Sequence, residues 1–558
     1  MAKRCGWSDD LGMPRLIVAG VLVFVVGISA TSAAENLIAH WKLKDDARDS
    51  VGKRHAINHS VAFDGTAATF SGRGAWLEVP KSVAPDLGDR PFTISAWIHT
   101  DEILDDSLGD ILSCYDQIKR TGFNFGLMNY SGITCAQSNW RNLFFGMDAG
   151  VGGDEWIDRG RPGKSQLINS LVVFDGDLYA TTWEPGANDR GHLYRYAGGT
   201  NWIDCGAPSP ANALKSAAVF QGRLYVSSER YSGGGSSLPR SPNERDGGHV
   251  YRYEGGTNWT DCGKIGDVRS VSGLAVYQGR LYAGTGTTGS WRDRPRWRGM
   301  YRFDGIGKWT DCGCPGNRIT HIGVHDGGLY GLSYDAGQFY RYRGGTNWLS
   351  FGPVPDTTQV YGMISYEGKL HVGTWPTGSV FEHGSGTNWL HRGRLGQEKE
   401  VMALSVYNGK FYAGTLPMAD VYRYDGDSQW INTGQLDRTP NVKYRRAWSM
   451  AVFDGKLFCG TLPSGHILSL EAGKAVTFDR AFPSGWHHVA AVRGRKILRL
   501  YVDGKKVSER LLGGHEFNLS ADVPMKIGFG QHDFFNGRMK DVRIYSTALD
   551  AEAIAALQ

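Results

Sequence analysis

The chain has 558 residues, of which 12% are aromatic and 77 are glycine, and its net charge is only +5. That length accommodates two or more domains, and so much glycine and aromatic character fits short strands joined by tight turns, not helices. The near-balance of charge gives no basis for nucleic acid or an anionic membrane as partner.

Lys3, Arg4 and Arg15 precede an apolar run from Leu16 to Ala30, and Thr31-Ser32-Ala33-Ala34 follows. A basic start, an apolar middle and a small-residue end read as a signal peptide over residues 1–34, most simply cut after Ala34, the alternative being an uncleaved anchor. Its apolar run is short for a membrane span and no later stretch is longer. The protein is therefore expected outside the cytoplasm, secreted, periplasmic or at the cell surface, with no membrane span after cleavage. Export permits disulfides. Cys114 and Cys135 fall in neighbouring predicted strands and are the expected pair, whereas Cys205, Cys262 and Cys312 share one register of three consecutive repeats and read as small buried residues. No Cys/His spacing suggests zinc.

From residue 35 to about 150 the pattern is period-two alternation, in IAHWKL, AATFSGRGAWLEVP, PFTISAWIHT and GFNFGLM, broken by Gly, Asp and Asn clusters. From 154 to 473 the chain says one thing seven times. A Trp is followed four residues later by Gly at Trp156, Trp202, Trp259, Trp309, Trp348, Trp389 and Trp430. Between these lie an apolar run, a turn and a second run (SLVVFDGDLYATT, LSVYNGKFYAGT), then a third short strand (HLYRYAGGTNW). Four short strands per repeat of roughly 40–50 residues is the signature of a β-propeller. The region starts with a Trp strand and ends on strands that lack one. The count therefore balances only if the first strand completes the last blade, a 1+3 closure. The turn glycines Gly176, Gly222, Gly279, Gly327, Gly368, Gly409 and Gly455 are expected at positive φ in two-residue hairpins.

After about residue 474 the first kind of strand returns. The two outer segments together resemble a LamG-like (concanavalin A-like) jelly-roll module. The first matches in its W-x-L start, Phe63-Asp64-Gly65, WLEVP and FTISAWI; the second in GWHHVA at 485–490, LYVDGK at 500–505, DVRIY at 541–545 and a closing helix after Leu549. The resemblance implies a two-sheet sandwich over 35–150 and 474–558. The fold expected is all-β: a seven-bladed propeller inserted into a concanavalin A-like β-sandwich. A domain whose ends meet can be inserted in a loop of another at little closure cost. The third-to-fourth strand turn (RYEGGTNW, RYDGDSQW) also partly resembles the Asp-box turn of sialidase-type propellers, a folding element remote from catalysis in those families. The LamG resemblance further suggests a structural Ca²⁺ near Asp64 and Asp541, the alternative being a turn and a strand cap; no other cofactor is implied.

The informative residues are those that break the repeat. One rim of the propeller is expected to collect Trp183, Glu184, Glu229, Arg230, Arg318, Tyr334, Asp335, Tyr361, Trp375, Glu400, Arg446 and Trp448. Planar aromatics beside hydrogen-bonding charges suit sugar faces and hydroxyls. His321 takes a column otherwise filled by Gly, Ala or Ser, and reads either as a hydrogen-bonded structural histidine or as a ligand-contacting or proton-transferring group. Two function classes follow. One is an exported binding or scaffold protein whose sandwich or propeller mouth recognises a glycan or an extracellular protein. The other is a glycan-active enzyme: a hydrolase using carboxylates such as Glu229 and Glu400, or a lyase using His321 and Tyr361 as base and acid. No catalytic motif is present, so the first class is preferred.

Overall fold

The computed structural model describes residues 36–150, 155–286 and 299–558; the signal peptide expected over residues 1–34 lies outside them. Two antiparallel sheets make the sandwich, and neither is complete within one outer segment. In the first, Phe92–Thr100 lies between Asn536–Tyr545 and Gly485–Arg493; in the second, Met525–Ile527 lies between Trp76–Val79 and Gly109–Asp116. Alternation decides the faces: Ile94, Ala96 and Ile98 are sealed in the core with Phe125, Phe145, Val489 and Ile544, while Trp97 and His99 stand half-exposed on the other side. The short helix Ala551–Ala555, capped by the Asp550 side chain, packs Ile554 against that outer face beside Tyr545 and Val492. No helix among the described residues is long and apolar enough to cross a membrane.

The repeats fold into four-stranded antiparallel units. An innermost hairpin such as Glu400–Tyr407 with Lys410–Leu416 is followed by Asp420–Tyr424 and the Trp strand Trp430–Gln435. The first Trp strand, Trp156–Asp158, pairs with Ile467–Leu470 in the unit of the last hairpin. Tryptophan ties unit to unit by one recurring bond. Its indole N–H donates to the carbonyl of the residue three beyond the preceding Trp: Trp202 to Arg159 at 2.8 Å, Trp259 to Cys205 at 3.0 Å, Trp348 to Cys312 at 2.8 Å and Trp430 to Arg392 at 2.8 Å. Trp156 reaches the equivalent residue after Trp430 through a side chain instead, donating to the Thr433 hydroxyl at 3.2 Å. This explains the register of Cys205, Cys262 and Cys312: their carbonyls receive the next tryptophan and their small side chains are buried.

Each hairpin turn places both central residues at positive φ, as at Asn408 (47°) and Gly409 (75°), the type I′ geometry that matches strand twist. These turns face the sandwich. A Cβ on Gly455 would lie 2.1 Å from the Ala475 carbonyl, so that turn docks only as glycine. At the opposite end of each inner strand is the rim that carries the irregular residues.

The central channel is filled by the sandwich itself. The hairpin formed by Thr121–Tyr130 and Asn139–Ala149 sends its tip, residues 130–139, down the axis. That tip bonds to the inner strand of every unit: Val173 N–H to Ser138 O (2.9 Å), Gln137 N–H to Ala217 O (3.0 Å), Leu274 N–H to Cys135 O (3.4 Å), Met363 N–H to Gly132 O (2.9 Å), Val324 N–H to Ser131 Oγ (2.8 Å), Tyr130 Oη–H to Val406 O (3.2 Å) and Val452 N–H to Asn139 Oδ1 (3.0 Å). Innermost strands converge on the axis and leave backbone groups without a lateral neighbour; the tip gives these groups partners.

This placement overturns the expected Cys114–Cys135 disulfide. Cys114 sits opposite Phe123 in the sandwich, and Cys135 lies beyond the far end of that strand, roughly 20 Å away at about 3.3 Å per residue. A disulfide needs Cα atoms within about 7 Å. All seven described cysteines are free.

Candidate functional site

The channel mouth is a layered chamber built above the plug. Its floor is Thr134 and Cys135: the Thr134 hydroxyl donates to Trp448 O at 2.6 Å, and the Trp448 indole N–H faces the Cys135 sulfur. Above the floor, Trp183, Tyr231, Tyr334, Tyr361, Met402 and Trp448 form one buried apolar cluster, with Trp375 packed at its edge. Tyr334 and Tyr361 lie with ring centroids 4.6 Å apart.

Three cation–carboxylate pairs share this chamber. Lys215 Nζ lies 3.2 Å from Glu229 Oε2, both fully enclosed, and 4.6 Å from the Trp448 ring centre. Arg446 Nε is 3.2 Å from Glu400 Oε1, again buried. Arg318 Nε is 3.1 Å from Asp335 Oδ2, near the surface. Burial raises the Glu400 carboxyl and Arg446 opposes it, while Lys215 is held protonated by Glu229 against its own desolvation. In each of these three pairs the cation and the carboxylate offset one another.

His321 opens its inner strand and is completely buried, its ring 5.3 Å from Tyr334. Burial, then the positive charges of Lys215 and Arg318, push its pKa well below the ordinary value, so the imidazole is neutral at pH 7. A neutral imidazole carries one donor and one acceptor. Neither ring nitrogen finds a protein partner among the described residues, and nor does the buried Tyr334 hydroxyl. Unpaired buried polar atoms cost about 1–3 kcal/mol each, so the geometry favours a polar guest here.

The loop from Arg230 to Gly247 closes over the inner layer. Its single helical turn, Gly234–Ser236, places Ser236 Oγ against Arg446 and against the Tyr231 hydroxyl. Trp183 anchors this loop, donating to Tyr231 O at 3.1 Å. The expected rim residues thus separate into two sets. His321, Tyr334, Tyr361, Glu229, Glu400, Arg446 and Trp448 converge at the axis, with Arg318, Asp335 and Trp375 at the outer edge. Glu184 turns away to the Thr182 and Tyr194 hydroxyls, and Arg230 to Glu244 O and Asp246 within its own loop; Trp183 is a wall under the loop. Sequence reasoning passed over Tyr231, Ser236 and the plug residues Thr134 and Cys135. The unusual length of the 229–247 connection was the one available signal for the first pair.

In the sandwich, Asp64 and Asp541 each have their own protein partners. Asp64 caps its turn, accepting from Thr66 and Ala67, and pairs with Arg538. Asp541 accepts from His40 at 2.8 Å and from Arg543 at 3.2 Å. Among the described residues no group of three His, Cys, Asp or Glu is placed to hold a metal.

Residues 428–555 match the family model of the concanavalin A-like lectin/glucanases superfamily (Laminin_G_3). The match begins just before the strand Trp430–Gln435, in the last repeats, and runs through the second sandwich segment. No curated protein matches the sequence. Among solved structures the chain is similar to a streptogramin B lyase, at 11% identity over 60% of this chain and 99% of that one, with a TM-score of 0.44. It is also similar to the virginiamycin B lyase from Staphylococcus aureus (10%, 57% and 99%, TM-score 0.43) and to the WD40 beta propeller domain of Doa1 (12%, 57% and 97%, TM-score 0.39). At these identities the likeness concerns overall fold and carries no chemistry.

Proposed function

We propose that the protein is an exported carbohydrate-binding protein that takes a neutral glycan at the propeller mouth. In this reading the repeats are a seven-bladed propeller closed by its first strand and inserted in a concanavalin A-like sandwich. The Trp156–Asp158 pairing and the Trp156–Thr433 bond support that closure, and the interleaved sandwich strands support the insertion. The observation that carries the function is the chamber's paired charges. Arg318 and Arg446 are each held by a carboxylate, and Arg445 donates to the Thr439 carbonyl. Among the described residues, neither Arg318 nor Arg446 is left unpaired for a sialic acid or uronate carboxylate. Aromatic faces, hydrogen-bonding side chains and a neutral histidine suit a ring bearing hydroxyls. A guest first meets Trp375 and Tyr444, whose rings lie 6.3 Å apart at the outer edge.

A glycan array probed with the mature chain tests this. Binding of neutral glycans that falls about tenfold in Trp375→Ala, the scale of one lost aromatic contact, is the expected result. Trp448→Ala removes the inner wall and should also weaken binding. Unchanged binding in both variants rejects the mouth as the site.

One observation favours a second reading, a glycan-active enzyme. His321 is a buried neutral base whose nitrogens have no protein partner among the described residues, in ring contact with Tyr334, whose ring lies tilted 4.6 Å from that of Tyr361. Release of reducing ends or unsaturated products from a polysaccharide panel, abolished in His321→Ala, would establish it.

A further inference from the structure

A second candidate site lies at the other end of the propeller. Trp140 belongs to the sandwich strand Asn139–Ala149, one residue beyond the plug, and points into the seam between the sandwich and the glycine-turn face of the repeats. Two cavities flank it, of about 540 and 400 Å³, and both are lined by Trp140 and Gly222. Each falls within the range typical of small-ligand pockets, roughly 300–1,000 Å³. Phe174 and Tyr253 wall the larger, Phe220 and Gln221 the smaller.

The backbone around Trp140 is held for this display. Arg141 has a φ of 57°, a left-handed conformation that costs an ordinary residue roughly 1–2 kcal/mol. It is fixed there by guanidinium bonds to Phe482 O at 2.7 Å and Asp101 O at 2.6 Å, and to the Thr100 hydroxyl at 2.5 Å. Arg141 thereby turns inward and Trp140 outward. The indole packs partly against three separate apolar clusters, one in the sandwich and two in the repeats. Unlike the repeat tryptophans, whose N–H groups each bond an adjoining unit, the Trp140 N–H bonds to no other described residue.

We propose that this seam is a second glycan-binding site, with Trp140 as the platform on which a linear neutral oligosaccharide lies as it crosses from one cavity to the other. Two cavities joined across one aromatic plate suit a chain better than a compact molecule. The polar complement matches. Arg223 is exposed and has no carboxylate within ion-pair range among the described residues, leaving its donors for hydroxyls. Glu254 is already held by Arg252 and Thr260, and Asp175 by Arg480, so neither acid of the groove occupies the Arg223 guanidinium. This site is independent of the mouth.

Isothermal titration of the full mature chain with cellohexaose, xylohexaose, laminarihexaose and mannohexaose tests the assignment. At least one hexasaccharide should bind and weaken about tenfold or more in Trp140→Ala, and severalfold in Arg223→Ala, while Trp375→Ala at the mouth leaves that affinity unchanged. Arg223→Ala removes an exposed side chain with no ion pair, so it decides the matter if Trp140→Ala lowers the melting temperature. Binding by none of the four, or affinity that survives Arg223→Ala and Trp140→Ala, overturns the proposal. A hexasaccharide lost only in Trp375→Ala supports the mouth and overturns the seam.

Discussion

The side chain of Asn139 closes a ring with the backbone of Val452, 313 residues away: its Nδ2 donates to Val452 O at 2.8 Å and its Oδ1 accepts the Val452 N–H at 3.0 Å. Asn139 ends the channel plug and Val452 lies on the last inner strand, so this pair locks the sandwich into the propeller. Asn139→Ala leaves a buried N–H and C=O unsatisfied, at about 1–3 kcal/mol each. We expect a loss of roughly 2–5 kcal/mol in urea unfolding, through one cooperative transition reported alike by fluorescence and circular dichroism. Two separate transitions would mean that the domains fold independently.

The pair Lys215–Glu229 is fully enclosed, and breaking a buried pair leaves an uncompensated charge. Lys215→Met should cost about 3–5 kcal/mol, and the double variant Lys215→Met/Glu229→Gln should recover a large part of it. A double-mutant cycle in urea measures the recovery; additivity of the two single losses would show that the charges do not interact.

The contribution of Asp533 to stability should fall as the pH rises through about 6. Asp533, buried where the sandwich meets the repeats, is pushed up to about 6 chiefly by burial, with Asp110 adding repulsion, against the lowering effect of the Ser107 hydroxyl and the Phe534 amide. Asp106 beside it is raised by burial and by Asp533. A carboxyl whose folded pKa exceeds its unfolded value of 3.8 binds more protons folded than unfolded. Its stabilising contribution is complete below the unfolded value and is lost as the pH climbs through the folded one. Asp533→Asn, which keeps an acceptor for Ser107, should flatten the melting-temperature profile between pH 4 and 7. A profile identical to wild type would show that Asp533 does not titrate in that window.

Seven free thiols imply that oxidation state is irrelevant to the native fold. Alkylation in denaturant without reductant should modify every one of them, and dithiothreitol should leave the melting temperature unchanged. Protection of any pair would contradict the structure.

Gly132 sits at φ 77° in the plug, where an added Cβ would lie 2.6 Å from Met363 Cγ and 3.3 Å from Gly323 Cα. Gly132→Ala combines overpacking with left-handed strain, each on the order of 1–3 kcal/mol. The melting temperature should drop by several degrees, and the change should reach the mouth, whose floor is Thr134 and Cys135. Unchanged stability would place the tip elsewhere.

The repeat architecture was legible because it rests on local physics said many times over. Gly after Asp, Gln, Asn or Glu sets the turn, alternation sets the faces, and one Trp per unit sets the spacing. Seven copies average out the ambiguity of any one. The sandwich was legible through its motifs, split as they are, since alternation of Ile94, Ala96 and Ile98 with Trp97 and His99 needs no partner to be read. The convergence of His321, Tyr361, Glu400, Arg446 and Trp448 followed from register: equivalent positions in a cyclic repeat meet at the axis.

What the tertiary structure alone decided is how that mouth is lined and what stands behind it. The stretch from Asn129 to Trp140 carries no charge, which hints at burial, but nothing local says in what. The plug's partners are backbone groups spread from Val173 to Val452, and a backbone amide looks the same in every sequence. Pairing across the mouth is equally invisible, because whether Arg446 meets a ligand or Glu400 depends on side chains brought together from different units. The sequence by itself determined the strands, the turns and the rim that would matter. Folding decided that Lys215, Arg318 and Arg446 each meet a carboxylate, and that a loop covers the rim from above and a neighbouring domain fills it from below, since those are consequences of distance in space and not of order along the chain.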